Sequence, residues 1–439
     1  MPNCSRSVRL AVTIFVILVI GAWITAQKHV AQHPAATVRE VNQVARPGPG
    51  TIILLGAMLV DGRGGPPVPD SAVVIRGERI VSVGPRASVA VPPGAEKIDA
   101  GGMTVLPGLV DAHFHLDGDT GLPSLFLSHG VTSVRDPGQW IEAYDEARRW
   151  KDPPPRLFLT GPHLDTSPPA YPEDSIIVRD PEEARLAVNR FVDQGASAIK
   201  VYFRLPLETI RTATATAHGR GIPVTAHLEI VDARDAINAG VDGIEHITSF
   251  GTALIPPRDA EKYRQAVLAD NNARRDGRYR MWNTIDLHSS RLPALLDLVV
   301  RRGTFLSPTL AIFERRAGDR DATDMHVKGF AKMMQFVGLA RKAGARIVVG
   351  SHSSVPHAER GWAYQRELEL LVESGLTPMQ ALVSATSENA RFFRIEGRLG
   401  TIEAGKLADL VLVQGDPLHN ISAMRNVKRV MLNGVWVAQ

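Results

Sequence analysis

Short apolar runs alternate with longer helical patterns through the middle of the chain, from about residue 106 to residue 395. The apolar runs have the length of strands, and the segments between them have the length of helices. This order predicts an α/β fold whose central part is a (β/α)₈ TIM barrel. The predicted strands are residues 108–115, 131–136, 156–160, 197–203, 222–227, 243–247, 304–309 and 346–352.

Both flanks of the predicted barrel carry short β patterns separated by glycine-containing turns, such as Arg76-Gly77-Glu78 and Asn433-Gly434. Because the two flanks share this pattern of short strands and tight turns, we expect them to form a single small β-sandwich. The predicted domains are residues 106–395 for the barrel, with residues 51–105 and 396–439 as the two parts of the β-sandwich.

The first residues differ from the rest of the chain. Arg6 and Arg9 precede an uncharged apolar run, residues 10–26, which suits a secretory signal peptide and is just long enough to span a bilayer. We expect residues 1–27 to be a cleaved signal peptide or an uncleaved anchor, followed by a linker over residues 28–50. Either outcome predicts an exported protein, periplasmic or anchored to the inner membrane, that meets the membrane only through this segment.

Composition excludes several classes of protein. A hydrophobic fraction of 44% and a charged fraction of 22% are ordinary for a globular chain. The 50 basic and 46 acidic residues give a net charge of +4 without a long block of one sign, so we expect no nucleic-acid partner. The single cysteine, Cys4, permits neither an internal disulfide nor a thiolate metal site. No glycine-rich phosphate loop is present, which argues against a nucleotide-binding barrel.

Chemically active side chains fall at the carboxyl ends of the predicted strands, where barrel enzymes assemble their active sites. His113 and His115 are two residues apart, so on a strand both imidazoles would point to one face and converge as a metal ion requires. For this pair alone, buried histidines that only satisfy hydrogen bonds are the alternative. Six residues lie at such ends: His113, His115, Lys200, His227, His246 and His352.

Lys200 lies in the apolar frame Ala198-Ile199-Lys200-Val201-Tyr202. Burial would remove the solvation of its ammonium group and favour the neutral amine, which can react. The alternative is a lysine paired with a carboxylate such as Asp136.

Residues 98–115, which end in the His113-Phe114-His115 motif, resemble the first signature of the amidohydrolase superfamily, in its imidazolonepropionase-like and prolidase-like branch. The resemblance extends in family order from about residue 50 to the end of the chain, and members have the same barrel and small β-sandwich. The other matching segments are residues 130–136, 198–202, 224–227, 243–246 and 397–409.

The resemblance implies roles for these residues. In the family, the histidines that match His113 and His115 bind a first divalent metal, and those that match His227 and His246 bind a second. The lysine that matches Lys200 is carboxylated by CO₂, and its carbamate bridges the two metals. Neutral imidazole favours zinc, although manganese, cobalt and iron suit the same ligands. We therefore expect one or two divalent ions, with zinc favoured on availability, and N6-carboxylysine at residue 200.

His352, in Gly350-Ser351-His352-Ser353, departs from the family, in which an aspartate binds the first metal and accepts the proton of the attacking water. A histidine is a competent base at neutral pH but contributes no negative charge. Three outcomes stay open. His352 binds the metal while His357 moves the proton, or His352 is the base of an enzyme with one metal, or the activity has changed or been lost.

Groups that would face the substrate are also predicted. Tyr202 lies two residues beyond Lys200 and so shares its inward face, where its phenol could polarise the scissile carbonyl or hold a carboxylate; core packing is the alternative. Arg204 and His163 lie on loops that follow strands. The basic stretch of residues 274–280 is more consistent with a solvated helix face, and the long connection of residues 249–300 predicts a lid.

Together these features predict an enzyme that hydrolyses the C–N bond of a dipeptide or an N-acyl amino acid with metal-activated hydroxide. The partner is then a small molecule, and a homo-oligomer is left open. A lactonase, an esterase or a deaminase with the same metal centre is the alternative activity. An envelope binding protein with an impaired metal centre is the alternative that is not an enzyme, and its bound-metal content would distinguish it.

Overall fold

The computed structural model describes residues 38–150 and 153–438, without the side chains of residues 146, 148 and 149. The predicted signal peptide or anchor over residues 1–27 lies outside the described residues. Among the helices that are described, none is both long and apolar enough to cross a bilayer.

Eighteen strands are described, and most belong either to a sheet from the two flanks or to the central barrel. In chain order they are β1 (Thr51–Leu59), β2 (Val68–Arg76), β3 (Arg79–Pro85), β4 (Glu96–Asp99), β5 (Met103–Pro107), β6 (Leu109–Asp111), β7 (Val131–Asp136), β8 (Arg156–Leu159), β9 (His163–Asp165), β10 (Ser175–Ile177), β11 (Ile199–Val201), β12 (Val224–His227), β13 (Gly243–Glu245), β14 (Phe305–Ser307), β15 (Arg346–Ile347), β16 (Leu410–Gln414), β17 (Val427–Leu432) and β18 (Val435–Trp436).

The helices mostly connect the parallel strands. They are α1 (Leu122–Ser128), α2 (Pro181–Asp193), α3 (Leu207–Gly219), α4 (Ala233–Asn238), α5 (Gly251–Leu254), α6 (Pro257–Ala269), α7 (Arg274–Thr284), α8 (Arg291–Arg302), α9 (Leu310–Phe313), α10 (Asp324–Lys342), α11 (Ala363–Glu373), α12 (Pro378–Val383) and α13 (Asn389–Phe393).

The flanking strands form one eight-stranded sheet in the order β18-β17-β16-β5-β1-β2-β3, with β4 paired to β1. The antiparallel pairing of β5 with β16, in which Leu106 faces Val411, joins the two ends of the chain. Strand β1 has register shifts on both sides of Ala57, so its first half pairs with β4 and its last residues pair with β5. Alternate residues such as Val73 and Ile75 are fully buried in the main core of this sheet.

The parallel strands form the barrel. Strands β6, β7 and β8 pair in that order, and the other group runs β10-β9-β11-β12-β13-β14-β15. Backbone hydrogen bonds join the two groups on both sides, from Ser197 N to Leu159 O at 2.7 Å and from Ala112 N to Val349 O at 2.9 Å. Counted from β6, the third strand position of the barrel is occupied by two short strands, β8 and β9. Gly161, at φ +76°, turns the chain between them. The predicted (β/α)₈ barrel is confirmed.

Several barrel strands end one or two residues earlier than predicted, and two end much earlier, because β6 stops at Asp111 and β15 stops at Ile347. His113 and His352 therefore lie on the segments that follow these strands. The two segments still hydrogen-bond each other, with His352 N donating to His113 O at 2.7 Å, so the side chains remain at the barrel mouth.

The connection of residues 249–300, predicted as a lid, is largely helical and contains α5 to α8. Its helix α7 packs beside α10, and His326 Nε2 of α10 lies 3.3 Å from Asp276 Oδ1 of α7. This connection brings side chains of α6 and α7 to the barrel mouth.

The described part of the predicted linker follows the barrel wall. Asn42 accepts a hydrogen bond from Leu157 N at 2.8 Å and donates one to Pro155 O at 2.9 Å. Arg156 donates to Glu40 at 2.7 Å and to Asp409 at 2.8 Å, with only 2% of the arginine side chain exposed. Because Arg156 begins β8, these contacts lie at the amino ends of the barrel strands.

Candidate metal centre and substrate cavity

A cavity of about 320 Å³ opens at the carboxyl ends of the barrel strands. Every predicted site residue except Arg204 and His357 lines it. A larger cavity of about 850 Å³ lies along α6 and α7, but no predicted site residue lines it, so its size does not identify the site. The lining residues of the smaller cavity are His113, His115, Asp117, His163, Tyr171, Asp174, Lys200, Tyr202, His227, His246, Arg278, Ile312, Phe313 and His352.

His113, His115 and His352 form one cluster. Nε2 of His113 lies 3.0 Å from Nε2 of His115, and the ring of His352 stacks on that of His113 with centroids 5.2 Å apart. One nitrogen atom from each of the three rings lies within 4.8 Å of the others. Two neutral imidazole nitrogens that face each other without a proton would repel, and a cation between them removes that repulsion. The cluster therefore fits a divalent metal with nitrogen ligands.

Glu245 is a candidate ligand that the sequence analysis missed. Its buried carboxylate contacts Lys200 Nζ and lies 2.8 Å from His113 Nδ1. Donor atoms of His113, Glu245 and His246 lie within 4.8 Å of one another, which makes a second candidate ligand group. The available signal was an acidic residue at the end of an apolar strand, directly before the candidate ligand His246.

Lys200 is 1% exposed, as its apolar frame predicted. Burial, together with the charge of Arg135, lowers the pKa of the Lys200 ammonium group well below its usual range. Burial therefore favours the neutral amine of an unmodified side chain. The carboxylate beside it is Glu245 rather than Asp136, which had been the alternative partner.

His227 and His246 come from consecutive barrel strands, and their ring centroids are 4.5 Å apart. Thr309 Oγ1 lies 2.7 Å from His246 Nδ1 and fixes the orientation of that ring. Burial lowers the pKa of His227 to about 3, so this imidazole is neutral, as a metal ligand must be. Its buried Nδ1 has no hydrogen-bond partner among the described residues.

His352 is held in an unusual backbone conformation, with φ at +58° for both His352 and Ser353. Hydrogen bonds fix this turn, including one from the backbone amide of Ser351 to the carboxylate oxygen Oδ1 of Asp111 at 2.9 Å. Strain of this kind persists where the surrounding structure imposes it, which is common at functional sites. Burial, followed by the nearby His115, lowers the pKa of His352 well below its usual value, so its ring is neutral and has a free lone pair.

Tyr202 and His163 line the cavity as predicted, with their rings stacked at a centroid distance of 4.2 Å. Burial raises the pKa of Tyr202 well above its usual range, so the phenol keeps its proton and can donate it in a hydrogen bond.

The structure places two predicted residues elsewhere. Arg204 donates to the carbonyls of Val267 and Leu268 at 2.8 and 3.1 Å, where the C-terminal end of α6 attracts a cation. His357 Nε2 lies 3.0 Å from Asp319 Oδ2, and neither residue lines the cavity.

Arg278 was expected on a solvated helix face, and the structure corrects this expectation. Its side chain is 12% exposed and lines the cavity. The guanidinium donates to Glu229 Oε1 at 2.6 Å and lies 3.0 Å from His227 Nε2. Arg274, one helical turn earlier on α7, is also buried. A spacing of four residues puts both arginines on the same face of the helix, and this was the sequence signal for a buried basic face.

Residues 104–437 match the Amidohydrolase family, and the chain belongs to that family. Among solved structures, a putative prolidase from Bifidobacterium longum is similar at 26% identity and a TM-score of 0.69, covering 90% of this chain and 96% of that one. These findings confirm the predicted superfamily and its prolidase-like branch.

Curated relatives match a part of their own length. An adenine deaminase from Mesorhizobium japonicum is 23% identical over 401 residues, which are 89% of this chain and 57% of that protein. An N-acyl-D-aspartate deacylase from Alcaligenes xylosoxydans xylosoxydans is 29% identical over 223 residues, which are 48% of this chain and 40% of that protein. This chain thus spans less than two thirds of either relative.

Proposed function

We propose that this protein is a metal-dependent hydrolase that cleaves the C–N bond of a dipeptide or an N-acyl amino acid. One observation carries the proposal, namely the convergence of nitrogen and oxygen donors, most of them buried, from five barrel positions in and beside a single small cavity. The similarity to a putative prolidase and to an N-acyl-D-aspartate deacylase supports this choice of bond. The donors are His113, His115, Lys200, His227, Glu245, His246 and His352.

The donors suit one or two divalent ions, and we favour zinc because neutral imidazoles predominate. His113, His115 and His352 would hold one ion, and His227 and His246 would hold the other. Such an ion lowers the pKa of water and stabilises negative charge on the reacting carbonyl oxygen.

We propose further that Lys200 is carboxylated. Its neutral amine would add to CO₂ with release of a proton, and the product would supply oxygen ligands between the two groups of histidines. The buried position of Lys200 favours the amine that this addition requires.

The remaining roles belong to the side chains around the metal centre. The protonated phenol of Tyr202 would donate a hydrogen bond to the substrate. The neutral ring of His352 would either bind the metal or accept the proton of the attacking water at a ring nitrogen. Helix α7 forms part of the cavity wall, because its residue Arg278 lines the cavity and is held there by the buried carboxylate of Glu229.

Metal analysis and a substrate screen test the proposal. The purified protein, dialysed against zinc, should contain at least one ion per chain and hydrolyse members of a panel of dipeptides and N-acyl amino acids. Added bicarbonate should raise the activity of protein that was prepared without CO₂. The variant Lys200→Met should lose this response, whereas Lys342→Met, at the end of α10 and outside the cavity, is the matched control. Protein without bound metal and without hydrolysis of any panel member would contradict the proposal.

A deaminase is the second candidate, since the relative that matches 89% of this chain is an adenine deaminase. Release of ammonia from adenine or a related amine, without cleavage of dipeptides or N-acyl amino acids, would establish this activity instead.

We also propose that the protein is exported, on the basis of the apolar residues 10–26 that follow Arg6 and Arg9. Fractionation of expressing cells should find the protein in the periplasm or the inner membrane. A version without residues 1–27 should remain in the cytoplasm, and equal distribution of the two versions would refute export.

A further inference from the structure

A basic cavity of about 620 Å³ lies where the segment of residues 38–46 meets the amino end of β8. Arg156 lines this cavity and begins β8, so the cavity is at the end of the barrel opposite the metal centre. Five arginines and two glutamates line it, which gives this end of the barrel a positive character. These residues are Arg39, Arg46, Arg79, Arg156, Arg398, Glu40 and Glu78.

Part of this positive charge has no acidic partner. Arg156 is neutralised by the ion pairs described above, and Arg398 shares the carboxylate of Glu40. Arg39 and Arg46 are exposed, and neither forms an ion pair with a described residue. The rim of the cavity therefore attracts an anion, and guanidinium groups bind phosphate oxygens particularly well because their donors are planar and parallel.

A second, mainly apolar cavity of about 390 Å³ adjoins the basic one. Residue pairs 46–47, 77–78 and 433–434 each have one member in each cavity, so the two lie side by side. Between them Gly434 packs so closely on Gly77 that a side chain at Gly434 would collide with the Gly77 carbonyl. No side chain of these two glycines therefore divides the cavities. The apolar wall includes Pro47, Ile52, Ile75, Val435 and Trp436.

A basic site beside an apolar one suits a phospholipid, which joins an anionic phosphate to acyl chains. Trp436 is half-buried in the apolar cavity, and the guanidinium carbon of Arg429 lies 3.8 Å from the centre of its ring. Tryptophan and arginine together are typical of surfaces at the level of lipid headgroups. Free phosphate and nucleic acid would use only the basic cavity.

The chain itself leads from this end toward the apolar run at residues 10–26. Arg398 donates a hydrogen bond to Val38 O at 3.1 Å beside the basic cavity. Residues 27–37 connect Val38 to the apolar run, and even a fully extended chain of this length spans no more than about 40 Å. A retained anchor would thus keep lipid headgroups within reach of the basic cavity and raise their effective concentration there.

We infer that the amino end of the barrel docks on a bilayer by binding an anionic phospholipid. The lipid phosphate lies among Arg39, Arg46 and Arg79, and the first part of an acyl chain lies against Val435 and Trp436. This contact is additional to any insertion of residues 10–26, and it directs the substrate cavity away from the bilayer. The inference goes beyond the proposed hydrolysis and does not depend on it.

Hydrogen exchange of the full chain in lipid nanodiscs tests the inference. Discs of phosphatidylcholine are compared with discs that also contain phosphatidylglycerol, an anionic lipid, with the same acyl chains. Backbone amides of residues 43–50 should exchange at least about fivefold more slowly in the anionic discs, as attraction of one or two arginines to the lipid predicts. Amides of residues 314–322, in the connection from β14 to α10 at the barrel mouth, should exchange equally in both.

Variants locate the contact. The double variant Arg39→Gln/Arg46→Gln should lose most of the protection in anionic discs, and added salt should weaken the protection of the native chain. The matched control Arg275→Gln/Arg320→Gln removes two exposed arginines at the mouth end of the barrel and should keep the protection. Urea unfolding should give the same midpoint for both double variants and the native chain, because all four side chains are exposed.

Glycerol 1-phosphate, added to the phosphatidylcholine discs, supplies the anion without acyl chains. Full protection by this compound would overturn the inference in favour of a site for a free phosphate. Equal protection in both kinds of disc, or equal loss in both double variants, would overturn it because the arginines at the basic cavity would then have no specific role. Absence of protection in every disc would also overturn it, while the hydrolase and export proposals would stand on their own tests.

Discussion

Substitution of Arg156 should be one of the most destabilising single changes outside the cavity. The side chain makes four hydrogen bonds, two to Asp409 and one each to Glu40 and Asn433. Arg156 and Asp409 are each 2% exposed, so Arg156→Met would leave Asp409 as a buried charge without its counterion. Breaking one partner of a buried ion pair costs about 3–5 kcal/mol, and we expect a loss of this size in the free energy of unfolding.

Urea unfolding, followed by the fluorescence of the six tryptophans, measures this loss. Asp409→Asn should lower the free energy of unfolding by less than Arg156→Met does, because the new amide oxygen can still accept the hydrogen bond from Asn433 N. The double variant should be more stable than the sum of the single losses predicts, by about 1–3 kcal/mol. Arg185→Met, on an exposed face of α2, should have no measurable effect. A change within about 1 kcal/mol for Arg156→Met would refute the reasoning.

Other predictions concern pH and the metal centre. Burial raises the pKa of Asp165 to about 7 in the folded protein, above its value in the unfolded chain. The protein therefore keeps its full free energy of unfolding below about pH 4, where this carboxyl is protonated in both states, and loses part of it as the pH rises through 7. The free energy of unfolding of Asp165→Asn should therefore exceed that of the native chain by up to about 4 kcal/mol at pH 8 and equal it at pH 4. Urea unfolding at both pH values measures the difference, and a difference that is independent of pH would contradict the prediction. His352→Ala should lower the zinc retained after dialysis, measured by mass spectrometry, and unchanged zinc would remove His352 from the ligand group. His352→Asp should not raise turnover if histidine is integral to the site, whereas a gain would indicate a decayed centre. His357→Ala should keep both zinc and turnover, because its ring contacts Asp319 outside the cavity; a tenfold loss of kcat would instead support a role in proton transfer.

Much of the barrel and its histidines could be predicted because the information is local. The carboxyl end of a barrel strand is recognisable from an apolar run followed by a polar residue, which is how His227 and His246 were found. Glu245 shares one of these strand ends, yet a lone acid in an apolar strand does not reveal its neighbours across the barrel. Arg278 was misjudged because the packing of α7 over the barrel mouth is set by contacts between distant segments. The early ends of β6 and β15 also depend on such contacts.

The attachment of residues 38–46 to the base of the barrel has a practical consequence. Val41 N donates to Leu157 O at 2.9 Å, and Arg398 donates to Val38 O at 3.1 Å, so the chain is fastened close to the start of its described part. That fastening point is at the opposite end of the barrel from the opening that receives small molecules. Protein attached to a solid support through a tag placed directly before Val38 should thus present its opening to the bulk solution and keep free exchange with its substrates.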